Sequence, residues 1–187
     1  MNTALKEWSL LITSMMQGQH HLMLRKGGLG DADQEFQLEQ ARFLLFPTWE
    51  HQKMEMFSYG LMPEPESMAE DSLVIEAWAE MSAMFKINNG SNLSNLKPLH
   101  VWSESYVRMR MEYKPEKPLY LVLLRIYQLA KPHAIPNLPR YGGCRSWVTL
   151  DDEIPLEGSK PVISETEFAE VQKKFLQSGL DGNWVKK

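Results

Sequence analysis

A chain of 187 residues is long enough to bury a substantial core and short enough for one domain; 43% apolar and 24% charged residues exclude wholesale disorder. A formal net charge of −4 gives no global attraction to nucleic acid or to an acidic membrane, so either partner would need a local basic patch. The single cysteine, Cys144, excludes an intramolecular disulfide and a cysteine-based structural zinc site. With no basic leader and no long apolar window, the expectation is a soluble, cytoplasmic protein without cofactor, metal or membrane.

From Thr3 to Gln17 the residues Ala4, Leu5, Trp8, Leu11, Ile12, Met15 and Met16 recur at three- and four-residue steps. This spacing predicts an amphipathic helix, capped by Thr3 and ended by Gly18. From His20 to Leu24 the period falls to two, that of a strand, and Gly27-Gly28 breaks it. Residues 30–34 read as a polar loop, and Phe36 to Phe46 as short strand pieces stopping at Pro47-Thr48. Thr48 is placed to cap a short helix through Phe57, before an acidic loop at Pro63-Glu64-Pro65-Glu66.

Leu73 to Ile87 fits both periods, and its unbroken alternation from Ile75 to Phe85 favours a long, bent strand. The strongest turn signal is Asn88-Asn89-Gly90-Ser91-Asn92, after which Ser103 caps a predicted helix to about Met111. Leu119 to Tyr127 is almost continuously apolar and branched or aromatic, the composition of a central strand. Pro132, Pro136 and Pro139 mark a connection to the Tyr141-Gly142-Gly143 turn and a strand ending at Leu150, anchored by Trp147. Ser164 and Glu167 form a capping box opening a last helix, with Phe168, Val171, Phe175 and Leu176 inward. Residues 1–187 thus read as one domain, with a core over about 3–150 and a C-terminal helical extension over about 164–178.

Candidate chemistry gathers at several places. His20 and His21 are strand neighbours that point to opposite faces and cannot share one metal ion. Arg25-Lys26-Gly27-Gly28 joins two cations to a backbone free to turn its amides toward an anion; a plain strand-ending turn is the alternative. His51 shares a predicted helical face with Glu55 and neighbours Thr48, which makes it a candidate general base, or simply a helix-stabilising residue. Cys144 lies between flexible glycine and Arg145, a context that favours a thiolate, although free cysteines are more often buried and inert. Arg108 and Arg110 are interleaved with Trp102, Tyr106 and Tyr113, and two helical residues so spaced do not share a face, so at most one joins any single site.

Ala4-Leu5-Lys6-Glu7-Trp8, Leu24-Arg25-Lys26-Gly27-Gly28, Leu45 to Gln52, Lys117 to Leu121 and Tyr141 to Val148 together resemble an uncharacterised bacterial family, domain of unknown function 1802. That resemblance implies no activity. Gly18-x-His20-x-x-Met23-x-Arg25 also resembles the Gly-x-Lys-x-x-Glu-x-Arg motif of ASCH domains. It implies an α+β fold, a small mixed PUA-like β-barrel with flanking helices at the N-terminus, middle and C-terminus. His20 and Met23 replace the two charged residues that carry hydrolysis in that superfamily, so the resemblance implies binding through Arg25 and not catalysis. The function expected is a nucleic-acid-binding module for RNA or single-stranded DNA. Its contacts would come from Arg25, Lys26, Gly27, Gly28, Trp49, Gln52, Trp102 and Arg108. The alternatives are a hydrolase or nucleotide-processing enzyme using His51 with Thr48, or Cys144, and a protein-interaction subunit.

Overall fold

In the computed structural model residues 1–26, 40–58, 71–88, 93–143 and 146–185 are described. The Gly27-Gly28 pair, the loops read at 30–34 and 63–66, the Asn89-Gly90 turn and Cys144 lie outside them. The elements run β1 (Thr3–Trp8), α1 (Ser9–Met16), β2 (Leu22–Lys26), β3 (Arg42–Thr48) and β4 (Ser72–Ile87). They continue with α2 (Glu104–Glu112), β5 (Leu119–Pro136), β6 (Trp147–Thr149), β7 (Lys160–Pro161), α3 (Glu165–Leu176) and β8 (Gly182–Trp184).

All eight strands join one sheet of order β2-β5-β4-β3-β1-β6, with β7 on β5 and β8 on β4. Among these pairings, that of β1 with β3 is parallel and the others are antiparallel. Register shifts between Ile75 and Ala77 and between Met81 and Ala83 bend the long β4–β5 ribbon, because a bulge raises local twist. The result is a mixed α+β fold whose sheet curls into a half-barrel.

The predicted opening helix is corrected: its first part is β1 and only Ser9 onward is helical. Ala4, Leu5 and Lys6 are consecutive and all buried. β1 lies inside the sheet between β3 and β6, where both faces are covered and apolar alternation disappears. Gly18 does close α1, at φ 71°, with its N–H on the Met15 carbonyl at 3.0 Å.

The helix predicted after Thr48 is also absent. Glu50 N–H bonds the Thr48 hydroxyl at 3.3 Å, and His51 takes φ 61°. The chain then runs extended except for a 3₁₀ turn at Met54–Met56. Long-range bonds hold it so: Ser58 N–H to Val101 O, and Ser103 N–H to Met56 O. Without that helix His51 and Glu55 share no face.

Pro132 and Pro136 belong to β5 and not to a connection, and Pro132 falls where the register jumps from Gln128 to His133, outside the ladder. The long strand at 72–87 and the central strand from Leu119 form as expected. So do α2 behind the Ser103 cap and α3 behind the complete Ser164–Glu167 capping box. Leu176, read as inward, is 61% exposed.

Phe168, Val171 and Phe175 of α3 enter the same buried cluster as Leu10 and Leu11 of α1, Trp102 and Tyr106. β8 closes this layer, with Trp184 edge-on to Phe85 at 4.7 Å and to Phe175 at 5.6 Å. Its first residue, Gly182, adopts φ 153°, and any Cβ there would meet the Lys86 carbonyl oxygen.

Candidate functional site

A cleft of about 390 Å³ opens where β1, β2, the 48–51 turn and α2 converge. Arg25, at the end of β2, donates from one Nη to Glu7 Oε2 and to the Lys6 carbonyl, both at 3.0 Å. The Arg25 and Glu7 side chains are only 17% and 11% exposed, so this pair is shielded more than a surface bridge. Glu7 Oε1 accepts the Trp8 N–H at 3.0 Å, which fixes the carboxylate. The Trp8 indole N–H in turn holds the Glu50 carbonyl at 3.0 Å and so ties the 48–51 turn to β1. Lys6 crosses to the Gly143 carbonyl at 2.8 Å.

From α2 come Tyr106 and Arg110, and from its C-cap Tyr113. Burial is the main cause that pushes the Tyr106 phenol up to about 12; the Arg110 and Arg25 charges oppose it and Glu7 adds to it. The phenol therefore remains a hydrogen-bond donor at neutral pH. The Arg110 guanidinium lies 5.9 Å from the centre of the half-exposed Tyr113 ring, within cation–π range.

The cleft brings together Arg25, Thr48, His51 and Trp102 from among the sequence candidates. Trp102 is 3% exposed, packed against His20, His100 and Tyr106, so it forms wall and offers no free ring face. Other candidates are engaged elsewhere. Lys26 Nζ donates to the Met111 carbonyl at 2.9 Å, complementing the C-terminal end of α2. Burial, with Arg110 nearby, lowers its pKa. Gln52 Oε1 accepts the Leu10 N–H at 3.0 Å, satisfying an orphan donor of α1. Trp49 is partly buried and packs against a separate core cluster that includes Phe46 and Tyr141. Gly27, Gly28 and Cys144 lie outside the described residues. In the ASCH-like spacing, His20 and Met23 are core residues, and only Arg25 reaches the cleft.

Lys6, Glu7, Tyr106, Arg110 and Tyr113 complete the site; the sequence singles out Arg110 with Tyr106 and Tyr113 as a cation among aromatics, and Lys6 and Glu7 were missed. Lys6 and Glu7 carried a signal, two charges inside an otherwise apolar opening segment.

Arg108 lies on the other flank of α2, beside a second cleft of about 440 Å³ between that helix and the 93–103 segment. Beneath it lies a neutral histidine pair. Val101 N–H donates to His20 Nδ1 at 3.1 Å and Trp102 N–H to His100 Nδ1 at 3.2 Å, which places each ring proton on Nε2. Burial holds both imidazoles down, His20 well below its ordinary value and His100 at about 4, with Lys97 as a second cause for His100. Among the described residues His20 Nε2, His100 Nε2 and Trp102 Nε1 are buried with no hydrogen-bond partner. Among the described residues no group of three or more His, Cys, Asp or Glu side chains is placed to hold a metal ion. None of the described helices is long and apolar enough to cross a membrane.

This half-barrel with its paired clefts is the fold of a family without an assigned activity. Residues 4–174 match the model of the family described as domain of unknown function (DUF1802), and the chain belongs to it. Comparison with curated proteins and with solved structures gives no match.

Proposed function

We propose that this protein is a nucleic-acid-binding module without catalytic activity, PUA-like in its half-barrel, that receives a phosphate of RNA or single-stranded DNA in the cleft beside Arg25. The observation that carries this reading is the convergence of Lys6, Arg25 and Arg110 on one cleft against the carboxylates of Glu7 and Glu50. Cations so grouped neutralise a phosphate, and the Tyr106 hydroxyl adds a neutral donor. The half-exposed Tyr113 ring supplies a stacking surface for a base.

Fluorescence anisotropy with mixed-sequence RNA and DNA oligonucleotides at low salt tests it. Binding should weaken with salt, and Arg110→Ala should lower the log–log salt slope by about 0.7 for each phosphate the variant no longer neutralises. Arg110 is the cleaner probe, because Arg25 also holds Glu7. No binding by the unmodified protein at low salt ends the proposal.

A second reading, a hydrolase or nucleotide-processing enzyme, draws on His51. Its φ of 61° is a conformation that side-chain-bearing residues seldom adopt, and it lines the same cleft as Thr48. Turnover of nucleotides that disappears in His51→Ala would favour it over simple binding.

A further inference from the structure

A free carboxylate in a cleft that takes phosphate repels the ligand, unless the ligand also brings donors that the carboxylate can hold. Two glutamates line the cleft beside Arg25, and they stand in different states. Glu7 is engaged on both oxygens, one holding the Arg25 guanidinium and the other the Trp8 N–H. The exposed Glu50 side chain makes no hydrogen bond or ion pair with the described residues. Its backbone, by contrast, is fixed from both sides. The carbonyl accepts the Trp8 indole N–H at 3.0 Å, and the N–H donates to the Thr48 hydroxyl at 3.3 Å. The turn thus keeps two open acceptor oxygens in the cleft that Lys6, Arg25 and Arg110 also line.

A carboxylate is matched by two adjacent donors on one rigid edge. Among the bases, guanine offers that edge, with an N–H beside an amino group on its Watson–Crick side. Adenine and cytosine each set one donor beside an acceptor, and uracil sets its N–H between two carbonyl oxygens. We infer that the cleft beside Arg25 selects guanine: the base stacks on Tyr113 and gives both donors to the Glu50 carboxylate, while Arg110 neutralises the phosphate. This inference rests on the nucleic-acid reading above and adds the base that the site prefers.

The test is fluorescence anisotropy of the full chain at low salt, with labelled uridylate heptamers carrying guanine, adenine or hypoxanthine at the centre. The guanine oligonucleotide should bind about ten-fold more tightly than the adenine one, the discrimination of a bidentate base contact. Hypoxanthine, which lacks the amino group, should fall between them. In Glu50→Ala the guanine oligonucleotide should weaken while the adenine one tightens, because a lost contact and a lost repulsion have opposite signs. Glu50→Gln should shift the preference toward adenine, whose edge complements an amide. The Glu50 side chain holds no other residue in place, and an unmoved urea midpoint in both variants verifies that the fold persists. Equal binding of the three oligonucleotides overturns the inference and leaves the phosphate site standing. A uniform rise in affinity in Glu50→Ala also overturns it, since Glu50 is then a repelling charge alone. Absence of binding by all three ends the nucleic-acid reading itself, and this inference with it.

Discussion

The two clefts flanking α2 share the Trp102 wall and take one arginine each from the same helix, yet they handle polarity in opposite ways. Beside Arg25 the charges are paired, guanidinium to carboxylate and ammonium to carbonyl, although Arg25 Nε and Arg110 Nε keep no partner among the described residues. Beneath Arg108 the buried groups are imidazoles kept neutral, their two ring protons without acceptors among the described residues. Charge can be kept in a protein interior by pairing or removed by titration. This molecule uses both within one helix diameter, so the flanks should respond differently to mutation and to pH.

Three experiments break or sharpen that contrast, the largest effect first. Trp102→Ala removes the shared wall and should cost about 4 kcal/mol, the usual range for a large buried aromatic, read from urea unfolding. A loss below about 1 kcal/mol would mean the clefts do not depend on a common wall. Acidification addresses the neutral flank alone. His100 is depressed to about 4 when folded, against an ordinary 6.5, so the unfolded chain binds more protons between those values. The neutral-state stability is therefore complete above pH 6.5 and lost as pH falls toward 4, by up to roughly 3 kcal/mol from this one residue. His20 adds loss of the same sign. In His100→Asn, where an amide oxygen can still accept the Trp102 N–H, the unfolding free energy should vary less steeply with pH. An unchanged slope would remove His100 from the account. Glu7→Gln disturbs the paired flank, leaving Arg25 without its counter-charge, and should cost about 1.5 kcal/mol. Oligonucleotide affinity, if the cleft takes phosphate, should rise about three-fold with that carboxylate gone.

Much of this architecture was legible locally. The Ser103 cap, the Ser164–Glu167 box and the unbroken alternation of β4 are written in neighbouring residues, and each element formed there. The misreadings lie where distant partners decide. Ala4, Leu5 and Trp8 have helical spacing, but the neighbours of β1 are β3 and β6, whose sequences lie far along the chain. Thr48 has the chemistry of a helix cap, yet the Ser58–Val101 and Met56–Ser103 bonds hold the following segment extended. The separation of Arg108 from Arg110 followed from helical geometry alone. The grouping of Arg25 with Glu7 and Tyr106 did not, because it requires β2, β1 and α2 to meet in space. Gln52 and Trp49 looked alike as ligand-facing candidates, and only packing sends one to the start of α1 and lays the other against the core.

Gly182 gives the last strand an unusual character. Its lack of a side chain lets β8 lie directly on the Lys86 backbone, and Trp184, two residues on, reaches the rings of Phe85 and Phe175. Any other residue there would set its Cβ on the Lys86 carbonyl oxygen, so the pairing of β8 with β4 requires glycine at this position. The strand so seated covers the layer in which α3 and both clefts' shared wall are set. The chemistry around Arg25 and Arg108 thus depends on a residue that touches neither, and whose whole contribution is the room it leaves.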